Sequence, residues 1–104
     1  MDKHYVALLP AHEKLKASFA TMRALAHPLR LEILHLIDKH KEMNVGDIYT
    51  TLKIEQALAS QQLRILRMSD LVRTRRDQKF IYYRLNYEKI QKAAKKSSVL
   101  SEMT

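Results

Sequence analysis

Between Tyr5 and Leu25, the apolar residues Leu8, Leu15, Phe19, Met22 and Leu25 recur mostly at three- and four-residue spacing. That period predicts an amphipathic helix. Pro10 is compatible only with its opening turns, which places the helix start near Pro10. His27-Pro28 marks a boundary, because the residue before proline leaves the helical region and proline fits the first helical position. A second helix then runs to about His40, with Leu29, Ile33, Leu36 and Ile37 as its buried stripe. Asn44 followed by Asp47 has the form of a capped start, an N-cap oxygen with an acid in the first turn. It predicts a short helix from Val45 to about Leu52, with Val45, Ile48 and Leu52 inward.

A further helix is expected from about Gln56 to Ser69, where Ala59, Leu63 and Leu66 share one face. Beyond it the period changes from helical to two. Leu71–Arg75 and Phe80–Leu85 are expected as strands, the second rich in β-formers, joined by the polar tip Arg76-Asp77-Gln78-Lys79. Ile81, Tyr83 and Leu85 fall on one face, and Phe80, Tyr82 and Arg84 on the other. From Tyr87 the helical period returns, with Tyr87, Ile90, Ala93 and Ala94 on one stripe, and 97–104 is expected to fray. The expected fold is mostly α with a small β-hairpin. Four helices, a hairpin and a last helix make a winged helix-turn-helix, here one domain over residues 1–104.

Composition narrows the chemistry. The 104 residues contain no cysteine, which removes disulfides, thiolate metal sites and cysteine nucleophiles together. No apolar run approaches the roughly 18 residues of a membrane span, and no secretory signal is visible, so a cytoplasmic location is expected and no membrane partner. A Gly-rich phosphate loop, a nucleophile elbow and an H-E-x-x-H pair are all missing, so no enzyme activity and no cofactor are expected. Five histidines occur, at His4, His12, His27, His35 and His40; the last two lie off one helical face. No metal is expected, the amino-terminal histidines being the one alternative left open.

Charge points to the partner. The chain carries a formal +8, unevenly distributed. Residues 1–52 have a net +1 and residues 85–104 a net +2, whereas 53–84 hold a net +5. The outward face of the 56–69 helix, Gln56, Ala57, Ser60, Gln61, Arg64 and Arg67, contains no acid. A solvated helix face ordinarily mixes signs. An acid-free face followed by a basic hairpin suits nucleic acid.

Four stretches carry a family resemblance: Ala26-His27-Pro28-Leu29-Arg30-Leu31-Glu32-Ile33-Leu34, Met43-Asn44-Val45-Gly46-Asp47-Ile48, Ala59-Ser60-Gln61-Gln62-Leu63-Arg64-Ile65-Leu66-Arg67, and the run from Leu71 to Leu85. In order and spacing, over roughly residues 15–95, they resemble the ArsR/SmtB family of bacterial transcriptional repressors. The Arg-Arg-Asp tip and the Ser-Gln helix are most similar to its metal-independent, nodulation-regulator-like members. The resemblance implies a homodimer on a near-palindromic operator in double-stranded DNA, with the first and last helices as the interface, and repression as the usual outcome. Leu8, Leu15, Phe19, Met22, Tyr87, Ile90 and Ala94 are the expected interface residues.

Groove chemistry then assigns roles. Glutamine can bond adenine in two places, arginine grips guanine and alanine touches the thymine methyl. Gln56, Ala57, Ser60, Gln61 and Arg64 are the candidate base readers. Lys53, Arg67, Arg73, Arg75, Arg76, Gln78 and Lys79 are the candidates for phosphate and wing contacts. Tyr82 and Tyr83 are expected to pack rather than stack on bases. The chain departs from the family pattern at Glu55, a poor cap, at Gln62 in place of a common histidine, and at Asp70 and Gln78, where glycine is usual. Family sensing residues are missing, so a small-molecule effector, protein level or an accessory partner is left to carry the signal. An RNA-binding or acidic-protein-binding winged helix and a non-specific chromosome-associated protein are the alternative functions.

Overall fold

The structure is a computed structural model, and it describes residues 23–93. Leu8, Leu15, Phe19, Met22 and Ala94, with His4 and His12, lie outside the described residues.

Residues 23–26 are helical and stop at His27. Helix α1 spans Pro28–His40, with His27 in extended conformation as its N-cap and the proline in its first turn. A two-residue strand, β1 (Met43–Asn44), leads into helix α2 (Val45–Leu52). The Asn44 side chain accepts from the Asp47 amide at 2.9 Å, so the expected cap is formed. Helix α3 covers Gln56–Met68, and the hairpin consists of β2 (Val72–Asp77) and β3 (Phe80–Leu85). Residues 87–93 are helical.

The sheet has three antiparallel strands in the order β1–β3–β2, one more than the expected hairpin. Met43 pairs with Tyr83 and Asn44 with Tyr82. Two residues leave no alternation to detect in the sequence, so β1 exists only because β3 offers it a free edge. The tip is also shorter than expected. Arg76 and Asp77 belong to β2, and Gln78-Lys79 alone make the turn. The Asp77↔Phe80 pairing closes that turn in two residues, which extends the ladder to the hairpin's end.

Ile33, Ile37, Ile48, Leu63, Leu66, Leu71 and Val72 are completely or almost completely buried. They draw α1, α2, α3 and the start of β2 onto one core. Each such side chain contributes roughly 1.5–3 kcal/mol by leaving water. Leu34 joins this core, while Leu29, Val45 and Leu52 only border it. In the inner stripe of α1, Leu34 therefore takes the place expected for Leu29.

Four non-glycine residues have left-handed φ: Lys41 (71°), Lys53 (56°), Asp70 (60°) and Gln78 (57°). Asp70 closes α3, its amide donating to the Arg67 carbonyl and that of Leu71 to the Leu66 carbonyl. That pair of bonds is the glycine-favouring helix stop. Gln78 is the first residue of the hairpin turn, another glycine-favouring place. Both departures from the family pattern thus keep the glycine backbone without glycine.

Candidate nucleic-acid interface

The candidate base readers sit where α3 is outermost. Ala59, Leu63 and Leu66 are fully buried, and with that face inward Gln56, Ala57, Ser60, Gln61, Arg64 and Arg67 are all exposed. Glu55 is the N-cap and makes no side-chain capping bond. The first-turn amides of α3 therefore have no side-chain acceptor from the cap. They point along the helix axis with its positive dipole end, a setting that favours an anion.

Turn and cap geometry bring the other candidates to the same side. Lys53, in its left-handed turn between α2 and α3, is exposed. A groove of about 320 Å³ runs between the N-terminal ends of α2 and α3 and the wing. Gln56 and Ser60 line it from α3 and Lys79, Phe80 and Ile81 from the wing, and Tyr49 and Tyr83 are also among its lining residues. Phe80 and Ile81 are more than 40% exposed, apolar side chains at the edge of a basic surface. The Lys79 ammonium lies 5.5 Å from the centre of the Phe80 ring. Sequence spacing did not bring Phe80 or Ile81 into the site; the short turn did.

The hairpin arginines divide. Arg73, Arg76 and Gln78 are exposed, and Arg76 Nε donates to the Gln78 carbonyl at 3.1 Å across the turn. Arg75 is held instead by Glu42, Nε to Oε2 at 2.9 Å and Nη2 to Oε1 at 2.7 Å. The hydrogen bonds from Arg75 lower the Glu42 carboxyl pKa, against an opposing effect of desolvation and with help from the Arg75 and Arg84 charges. Tyr82 lies beneath the same guanidinium, at 4.7 Å. It packs, as expected, rather than presenting an open face.

Two polar residues with structural roles were not singled out by their chemistry. Gln62 is buried at 7% exposure and accepts from Arg30 Nε at 2.9 Å. Arg30 Nη1 also reaches the Arg23 and Ala24 carbonyls at 3.4 Å, so one guanidinium ties α3 to residues 23 and 24 of the 23–26 helical turn. The signal was present: positions 59, 62, 63 and 66 form one helical stripe. Asn86 is likewise buried, donating to the Asp70 carbonyl at 2.8 Å and accepting from the Lys89 amide, so it steadies the left-handed turn and caps the last helix.

Of the expected interface residues, Tyr87 is 46% exposed and Ile90 packs at the border of the chain's own core. The Tyr87 hydroxyl donates to Asp38 at 2.5 Å, which raises its pKa by favouring the neutral phenol. Among the described residues, no three of His, Asp and Glu gather closely enough to hold a metal, and no helix is long and apolar enough to cross a membrane.

An exposed acid-free helix, seated on a three-helix core and flanked by a basic two-stranded wing, defines a winged helix-turn-helix DNA-binding protein. Residues 27–74 match the family described as "Bacterial regulatory protein, arsR family". The chain is 42% identical over 82 residues to the biofilm growth-associated repressor of Agrobacterium fabrum, covering 78% of this chain and 69% of that protein. It is 39% identical over 70 residues to the transcriptional repressor PagR of Bacillus anthracis, covering 67% of this chain and 70% of that one. The crystal structure of NolR from Sinorhizobium fredii superposes with a TM-score of 0.69 at 35% identity, over 91% of each chain. The chain belongs to the arsR family and is a DNA-binding transcription regulator.

Proposed function

We propose that the chain acts in the cytoplasm as a homodimeric repressor that reads a near-palindromic operator. The observation that carries this reading is the exposed, acid-free face of α3 beside the groove that Lys79 lines. Gln56, Ala57, Ser60, Gln61 and Arg64 meet base edges in the major groove, and Lys53, Arg67, Arg73, Arg76, Gln78 and Lys79 meet the backbone. Two protomers set their α3 helices about 34 Å apart, one turn of DNA. The stripe from Leu8 to Met22 and that from Tyr87 to Ala94 supply the dimer contact. A small molecule is the proposed class of signal, since the chain has no thiol to oxidise or to bind a soft metal.

Fluorescence anisotropy at one near-physiological salt concentration tests this, with a duplex from the protein's own upstream region against a scrambled one. The expected result is two protomers per duplex and a preference of about a thousandfold. Equal weak binding to upstream, scrambled and random-library duplexes, or stronger binding to RNA, overturns it.

A further inference from the structure

The outer rung of the sheet joins all three strands. Asn44 of β1 lies opposite Tyr82 of β3, and Tyr82 lies opposite Arg75 of β2. Glu42, just before β1, reaches across this rung to Arg75, a residue 33 positions away in sequence. Both carboxylate oxygens are used, each by a different guanidinium nitrogen. The Tyr82 ring lies 4.7 Å from the guanidinium carbon, and Asp77 Oδ2 stands 3.7 Å from Nη1. One cation is therefore matched by two carboxylates. Among the described residues, Arg73, Arg76 and Lys79 make no ion pair.

We infer that Glu42 and Arg75 form a clasp that sets the wing's angle, and that Arg75 is a positioning residue rather than a phosphate ligand. The inference rests on the DNA-reading function proposed above and names how that site is held in shape. Arg75–Ile81 are all exposed, so no core lies beneath the outer hairpin to fix it. β1 meets β3 through only two residues, too few to do so alone. An isolated surface ion pair would do little, but a two-point arginine–carboxylate fork has a defined geometry, and an aromatic face adds to it. A wing already held in place loses less freedom when DNA arrives.

The test turns on a sign. If charge alone mattered, Glu42→Ala would remove an anion from beside the basic wing, release Arg75 and tighten binding. The clasp requires the opposite. Glu42→Ala and Arg75→Ala should each weaken operator binding, about 3- to 10-fold, through a less ordered wing. The double variant should bind no worse than either single one, because the same contact is lost. Arg75→Lys keeps the charge without the fork and should resemble Arg75→Ala. Arg75→Ala should leave the slope of log affinity against log salt unchanged, whereas Arg76→Ala should reduce it by about 0.9 per protomer. In the free protein, amide exchange across 75–80 should quicken in Glu42→Ala and Arg75→Ala while the α3 amides keep their protection. Tighter binding by Glu42→Ala, wild-type behaviour of Arg75→Lys, a lower salt slope for Arg75→Ala, or unchanged exchange would each overturn the clasp. Clasp-dependent exchange in a protein that prefers no duplex would instead overturn the DNA-reading function, so the two failures are told apart.

Discussion

The outward face of α3 and the wing are both basic, yet they handle their charge differently. Among the described residues, Gln56, Ser60, Gln61, Arg64 and Arg67 make no side-chain hydrogen bond or ion pair, and they stand on a helix whose other face is completely buried. The wing has little core beneath it, and its polar groups bond to one another: Arg75 to Glu42 and Asp77, Arg76 to the turn carbonyl. A helix can leave its outward polar side chains unpartnered because packing behind it holds the backbone. A projecting hairpin has to be held by its own side chains. Arginine content alone therefore does not measure availability to a ligand.

The largest effect should come from breaking the helix side from beneath. Leu63→Ala removes a side chain with 0% exposure, and the cavity should cost about 2–5 kcal/mol in denaturant or thermal unfolding. Arg30→Ala acts one step further out. It leaves the buried Gln62 oxygen without its donor and should cost about 1–3 kcal/mol, with a second effect on operator affinity through the tilt of α3. Arg30→Lys should recover only part of this, since lysine lacks the fork that reaches both Gln62 and the Arg23 and Ala24 carbonyls.

The comparison is sharpened by binding measurements on the two surfaces. Gln61→Ala should lower discrimination between operator and scrambled duplex by about 1–3 kcal/mol while leaving the scrambled duplex affinity unchanged. Arg76→Ala should weaken both duplexes alike. Equal losses on both duplexes for Gln61→Ala would remove base reading from that residue. At the wing turn, Gln78→Gly relieves a left-handed φ of 57° and should stabilise the fold by about 1 kcal/mol. Asp70→Gly should gain less, because aspartate tolerates that region better than glutamine.

The smallest expected effect is that of acid on the wing. Its hydrogen bonds to Arg75 give Glu42 a folded pKa below its unfolded one. The carboxylate's contribution is thus complete above the unfolded value, near 4.3, and is lost as pH falls through the lower, folded one. Wing amide exchange should therefore quicken only in acid below the ordinary glutamate range, and Glu42→Ala should abolish that dependence.

Much of this was legible along the chain. The bounds of α2 and β3 and the start of α1 at Pro28 coincide with caps, proline and period, all local features. The outward face of α3 was legible too, because Ala59, Leu63 and Leu66 determine which side is buried. Glu55 was legible as a poor cap from its residue type, and the family resemblance marked Asp70 and Gln78 as standing where glycine is usual, which left their turn geometry for the structure to give. The left-handed Lys41 and Lys53 did not, since lysine carries no signal for that conformation and only the helix ends around it require it.

Among the described residues, the sequence by itself determined the helices from Pro28 on, the hairpin, the outward face of α3 and the basic surface around it. Each depends on spacing within about a dozen residues, on a cap or on the absence of acids from a face. Only the tertiary structure decided that Met43–Asn44 would become a strand, that Arg30 would be the partner of the inward Gln62, and that Arg75 would be taken up by Glu42. Those outcomes join residues some 32 to 40 positions apart. Local period and propensity are silent at that range. Partners so distant become neighbours only once the shared core has closed and brought α1, α3 and the sheet edges within hydrogen-bonding reach.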